Sequence, residues 1–262
     1  MRTYRRKRTR ARHTSQHALK VGLALLGLML LSDSITTHFF TQIEAALSLS
    51  AIHASSTIPA QPAMPISSLT LAQQPTLAQD TFSRTNQTFW GIASDGQRWQ
   101  ADAMSSPDFA IVNHAGQIAN GNGIYDAILG PRITNAEVVF SGSLSRFRPS
   151  TLGALLRWTD AKNLYKAYLD GAHLILLRDV AGIVTMLKSV AFVAQEGQLY
   201  NFHFRVLGSL LSAKAWPTNA PEPANWMVTT TDTSLSSGYG GLRVVLRNGI
   251  TATITSFTES KL

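Results

Sequence analysis

Apolar and polar residues alternate through most of the stretch from Gly153 to Gly208. In its last run Tyr200, Phe202, Phe204 and Val206 fall on one face, and Asn201, His203 and Arg205 fall on the other. A period of two marks a strand with one face buried and one face toward water. Similar apolar or alternating runs occur at 136–141, 164–169, 174–180, 183–188, 242–246 and 250–255. Turn signals punctuate them: Ser94-Asp95-Gly96, Asn120-Gly-Asn-Gly123, Asp170-Gly171, Ala181-Gly182, Glu196-Gly197 and Asn248-Gly249. Asp-Gly and Asn-Gly between such runs are strong hairpin signals. No long run carries a helical stripe, so many short strands with Gly-rich turns predict an all-β sandwich or barrel. The alternation assigns Val138, Phe140, Leu156, Tyr165, Ala167, Leu169, Phe202, Phe204, Val206, Leu242, Val244 and Ile254 to its core.

The pattern differs upstream. Residues 1–20 are basic, and an uncharged apolar run from Val21 to Leu31 follows. A positive n-region before a short apolar stretch is the mark of an export signal. A spanning helix needs about 20 apolar residues, and Asp33 interrupts this one early. Ile35, Phe39 and Phe40 extend its apolar character, so a cleaved signal peptide and an uncleaved signal anchor over 21–40 both remain open. Residues 41–79 are rich in Pro, Ala, Ser, Thr and Gln and carry almost no charge before Asp80. Such a segment buries too little apolar surface to offset its ordering entropy, which predicts a flexible linker. The expected organisation is a basic cytoplasmic tip (1–20), a signal or anchor helix (21–40), a linker (41–79) and a sandwich (80–262). It places the folded part outside the cell or in its envelope, tethered or secreted.

Charge removes one class of function. The formal net charge is +8, yet eight Lys/Arg and no acid lie within residues 1–20, leaving 15 basic and 15 acidic residues in the remainder. A nucleic-acid-binding domain carries its basic face on the fold itself, so no nucleic-acid partner is expected. The absence of cysteine excludes disulfides, thiol nucleophiles and Cys-bound zinc. The sandwich must rest on its apolar core.

Short motifs in a fixed order then point to a family. Asp80-Thr-Phe-Ser-Arg84, Phe89-Trp-Gly91 and Gly96-Gln-Arg-Trp99 resemble the opening of a bacterial concanavalin A-like, or laminin-G-like, jelly-roll domain. Leu155-Leu-Arg-Trp-Thr-Asp160, Asn163-Leu-Tyr165 and the hairpin at Asp170-Gly171 resemble its middle. Ala213-Lys-Ala-Trp216 and Glu222-Pro-Ala-Asn-Trp226 resemble its penultimate strand and the loop after it. The resemblance implies two stacked antiparallel sheets with the first and last strands adjacent. It also implies recognition of a glycan, recognition of a protein, or glycoside hydrolysis, among which a fold does not choose. Members often hold a structural Ca²⁺ between the N-terminal Asp and an acidic last strand. Here Ile254-Thr-Ser-Phe-Thr258 offers no carboxylate before Phe257, so Asp80 is a thin candidate and no metal or other cofactor is expected.

The chemistry-bearing residues favour binding over catalysis. Glycoside hydrolysis needs two carboxylates flanking one bond, and Glu137, Glu196, Glu222 and Glu259 have no acidic partner at alternate positions. No Gly-x-Ser-x-Gly elbow and no His-x-x-x-His spacing is present. The aromatic residues are more informative, because rings stack on sugar faces while polar neighbours fix the hydroxyls. Arg157, Tyr168, His203, Arg205 and Trp216 are the expected contacts, placed off the core by alternation or as neighbours on the polar face. The expected function is non-catalytic recognition of a glycan or surface polymer. A structural or protein-docking envelope module is the alternative, and a hydrolase is third.

Overall fold

The computed structural model describes residues 74–262. The expected basic tip (1–20), signal or anchor segment (21–40) and linker residues 41–73 lie outside these described residues. Sixteen strands carry the fold: β1 (Thr76–Asp80), β2 (Gln87–Thr88), β3 (Gln100–Ala101), β4 (Phe109–Val112), β5 (Ala115–Ile118), β6 (Gly123–Ile128), β7 (Ala136–Leu144), β8 (Thr151–Asp160), β9 (Asn163–Leu169), β10 (His173–Val180), β11 (Ile183–Ala191), β12 (Tyr200–Leu207), β13 (Leu210–Pro217), β14 (Val228–Thr231), β15 (Tyr239–Leu246) and β16 (Ala252–Lys261). One helical turn, α1 (Asp102–Ser105), follows β3.

The strands form two antiparallel sheets. The nine-stranded sheet runs β14-β13-β12-β7-β16-β5-β4-β2, with β1 also paired to β16. The seven-stranded sheet runs β11-β10-β9-β8-β15-β6-β3. The chain changes sheet on either side of β3, β6 and β15, and between β7 and β8 and between β11 and β12, which is how a jelly roll distributes consecutive strands over two layers. First and last strands are adjacent, with Asp80 opposite Phe257. Strand β1 starts at Thr76, so four residues before Asp80 already belong to the sheet. Strand β13 is not the penultimate one, because β14, β15 and β16 follow it.

Alternation fixed the inward faces. Every core residue expected from the pattern is at most 1% exposed. The Asp170-Gly171, Ala181-Gly182 and Asn248-Gly249 pairs join β9 to β10, β10 to β11 and β15 to β16. At the N-terminal end Trp90 packs edge-on against Phe82 at 5.0 Å, Trp99 at 4.8 Å and Phe109 at 5.0 Å, and Trp99 meets Phe257 at 5.1 Å. Such edge contacts add about 0.5–1.5 kcal/mol per pair beyond the area they bury.

Asp80 organises this cluster. Its carboxylate accepts hydrogen bonds from the Arg84 guanidinium at 2.8 and 3.0 Å and from the Trp99 indole N–H at 2.6 Å. The backbone N–H groups of Phe82 and Ser94 add two more, at 2.8 and 3.2 Å. The bond to the Phe82 N–H closes a tight turn at Asp80 and accompanies the positive φ of 54° at Phe82. A cation, Arg84, therefore already sits against the oxygens that would face a calcium ion. The residues present do not fit that metal.

Candidate functional site

The outer face of the nine-stranded sheet receives three of the five expected contacts. His203, Arg205 and Trp216 all project there, His203 opposite Lys214 and Trp216 opposite Asn201. His203 is not wet, as its alternation implied, but 8% exposed. The loop after β13 folds back and lays Trp226 edge-on to the imidazole at 4.7 Å. The His203 ring nitrogens lie 3.0 Å from Glu137 and 3.1 Å from Glu222. Arg205 clamps Glu137, and Lys214 reaches Glu222 at 2.9 Å and the Pro223 carbonyl at 2.8 Å. Both cations also face the Trp226 ring, at 5.0 and 4.9 Å.

Nearly every charge in this cluster is answered from within it. Burial raises the pKa of both carboxyls, but the hydrogen bonds outweigh it: from His203 and Arg205 for Glu137, and from Lys214 and His203 for Glu222. Both end up below the ordinary glutamate value, so neither is poised as a general acid. The cluster pins the loop 217–227 to the sheet. Trp216 lies alongside it at 7% exposure.

Arg157 has a different setting from the solvent-facing one expected. It follows a register shift in β8, has a φ of 52° and is 4% exposed. Its guanidinium donates to the backbone carbonyls of Thr134 at 3.0 Å, Gly208 at 2.6 Å and Leu235, each in a different loop. It closes one end of the sandwich.

Tyr168 stands on the opposite surface, the outer face of the seven-stranded sheet. One row of that face crosses five strands as Asp126, Arg243, Gly153, Tyr168 and Ile175. Arg243 grips Asp126 through two bonds of 2.6 and 2.7 Å, and the Trp158 indole donates to the same carboxylate at 3.0 Å. Lys166, two residues from Tyr168 on the same face, donates to Thr151 Oγ1 at 3.0 Å and lies 4.3 Å from the Tyr168 ring. Asp179 stands 4.0 Å from Arg243, and its Oδ1 is buried without a hydrogen-bond partner.

This face points away from the core, yet Asp126, Lys166, Asp179 and Arg243 are each at most 6% exposed. Burial, and next the nearby Arg243, draw the Lys166 amine down to about 7 against the pull of Asp126. Burial and then Asp170 push the Tyr168 phenol up, so it stays a protonated donor. This face keeps hydrogen-bonding capacity in reserve, at Asp179 Oδ1, the Lys166 amine and the Tyr168 hydroxyl, beside the aromatic surfaces of Tyr168 and Trp158.

Gly153 shapes this floor. A Cβ there would come 2.4 Å from the Ala167 carbonyl and 2.6 Å from the Tyr168 Cβ. Backbone cannot yield cheaply, so Gly153→Ala is expected to destabilise the domain by about 1–3 kcal/mol. A urea unfolding midpoint unchanged from wild type would contradict that packing.

Sequence reasoning named Tyr168 here, with Lys166 sharing its face by alternation, and missed Asp126, Trp158, Asp179 and Arg243 as its neighbours. A signal existed: Arg243 is a lone charge between Leu242 and Val244, and Lys166 interrupts Leu164–Leu169. A charge inside an apolar strand demands a partner, but only the strand order supplies it.

No protein family and no curated protein sequence matches this chain. Solved structures do share its fold. The carbohydrate-binding module CBM66 from Bacillus subtilis superposes with a TM-score of 0.50 at 14% identity, over 58% of this chain and 91% of that one. A xylan β-1,4-xylosidase from Bacillus halodurans gives 0.53 at 10% identity, and the GH43 protein BlXynB from Bacillus licheniformis gives 0.50 at 11%. Each of these two matches covers 70% of this chain but only 39% of the enzyme. The described domain is an antiparallel two-sheet jelly-roll sandwich, a fold it shares with these structures.

Proposed function

We propose that this domain recognises a glycan without cleaving it, through the outer face of the seven-stranded sheet. The observation that carries the reading is a floor of buried polar side chains, pointing away from the core and incompletely hydrogen-bonded, next to Tyr168 and Trp158. Aromatic faces take the carbon side of a sugar ring, and the fixed polar groups select its hydroxyls. The fold shared with a protein named as a carbohydrate-binding module supports it. Of the five contacts expected from sequence, only Tyr168 enters this site. The charged cluster on the other sheet, with His203, Arg205 and Trp216, then holds a loop.

The settings of the carboxylates support non-catalytic action. Asp126 is bound by Arg243, Glu137 and Glu222 are held by cations, and Glu259 is wholly buried. None forms an accessible acid and base pair of the kind hydrolysis needs. The export or anchor segment expected from the sequence would present this face outside the cytoplasm, to an extracellular or envelope polymer.

The test is a glycan array with the full chain, followed by affinity electrophoresis on each hit. Tyr168→Ala and Trp158→Ala are each expected to weaken binding at least about fivefold, since an aromatic contact is worth on the order of 1 kcal/mol or more. Binding that survives both substitutions would move the site elsewhere. A silent array would favour protein docking, for which the edge strand β11 offers exposed Ile183, Val184 and Met186.

A further inference from the structure

Arg157 is a buried cation with no carboxylate against it. The ion pairs among the described residues join other groups, and the acid nearest in the network, Asp232, is engaged by the Tyr165 hydroxyl at 2.6 Å and by Arg178 at 2.8 Å. Buried charges ordinarily have a counter-charge. Three neutral carbonyls take three of its donors, while a guanidinium has five N–H groups. Two remain.

The same side chain lines an open cleft of about 230 Å³, together with Thr134, Gly208, Ser209, Thr233, Leu235 and Ser236. These residues come from the segment before β7, the β12–β13 turn and the loop between β14 and β15, so the cleft lies at the end of the sandwich. Its lining presents mainly carbon, and Arg157 is the one charged residue in it. Apolar walls with one or two convergent polar groups are the usual build of a small-ligand pocket. A plain inorganic anion would gain nothing from such walls, whereas a ring with a carbon face and a carboxylate substituent fits both features.

We propose that this cleft is a binding site for a carboxylated sugar ring, a uronate, whose carboxylate meets Arg157 while its carbon face lies against Leu235 and the flanking threonines. The site is separate from the sheet face containing Tyr168, and it stands whether or not that face binds a glycan. It gives Arg157 the ligand-binding role expected from sequence by a different route. Planar guanidinium and planar carboxylate match in a bidentate geometry that a lysine would not reproduce.

The experiment is calorimetric titration of the full chain with sodium glucuronate, acetate, methyl glucoside and inorganic sulfate at constant ionic strength. Glucuronate is expected to bind saturably, at least about tenfold more tightly than any of the other three. Equal affinity for acetate or sulfate would remove the ring from the proposal, and equal affinity for methyl glucoside would remove the carboxylate. Arg157→Met should abolish binding, but it also leaves three carbonyls without a donor and can weaken the fold. Ser236→Asp avoids that problem by placing a resident carboxylate at the mouth of the cleft. It should retain the wild-type melting temperature or exceed it while reducing glucuronate affinity at least about tenfold. Unchanged affinity in Ser236→Asp would overturn the assignment. Tyr168→Ala should leave glucuronate affinity in the cleft intact, which separates this site from the sheet face.

Discussion

Replacing Glu259 by glutamine is expected to flatten the pH dependence of stability between about 4.5 and 8. Glu259 projects from β16 opposite Val138, into the interior, and is 0% exposed. Neither carboxyl oxygen has a hydrogen-bond partner. A Cβ on Gly130 or Gly240 would come within 2.3 Å of those oxygens, so both glycines are needed to admit the group. Burial without a counter-charge pushes its pKa from 4.5 up to about 8. Between those values the folded state keeps a proton that the unfolded chain has released. Stability is then fully present below about 4.5, falls as pH rises, and levels off above about 8. The span corresponds to a loss on the order of 3–5 kcal/mol.

Glutamine cannot ionise, so Glu259→Gln should be the more stable protein near the upper end of that interval. Lys166 works in a higher window and in the opposite sense. Its amine is drawn from 10.5 to about 7, so stability rises with pH between those two values as the unfolded state loses its extra proton. Denaturant midpoints for wild type and variant at several pH values separate the two groups. Parallel curves over the interval from 4.5 to 8 would show that Glu259 is not the titrating residue.

Asp80→Ala is expected to cost about 3–5 kcal/mol, the usual consequence of stripping one partner from a buried ion pair. Arg84 would be left without its counter-ion, and the Trp99 indole and two backbone N–H groups without an acceptor. The aromatic cluster of Phe82, Trp90, Trp99 and Phe257 depends on that anchor, so tryptophan fluorescence should report the loss. Asp80→Asn keeps the shape and part of the bonding and should cost less. Because Arg84 occupies the position a metal would take, excess chelator should leave the wild-type melting temperature unchanged. A rise of several degrees on adding calcium would overturn this reading of Asp80.

Much of the architecture was legible because strand alternation is a local property. Whether Phe202 or Asn201 faces inward depends only on neighbours in the chain and on the need to bury one side. The hairpins were equally local, since Asp170-Gly171 and Asn248-Gly249 supply the backbone freedom a tight turn requires. The resemblance at Asp80, Trp99 and Leu155–Asp160 added the two-sheet arrangement and the pairing of first with last strand. The chain could not reveal the fate of its outward faces. Lys166 and His203 occupy equivalent-looking alternate positions, yet one lies beside Arg243 and Asp126 and the other beneath Trp226. Arg157 is buried rather than exposed because a register shift after Leu156 breaks the two-residue period of its strand.

The amino-acid order by itself determined that the described region is all-β, which residues fill its core, where it turns, and that charge beyond residue 20 is balanced. Only tertiary structure decided which polar side chains meet. Asp126 and Arg243 are 117 positions apart and Glu137 and His203 are 66 apart, and each pair is joined by a strand order that no local pattern encodes. Burial and electrostatics act between neighbours in space. The sites that could bind a ligand are set at that level, while the inward faces that hold the fold are set along the chain.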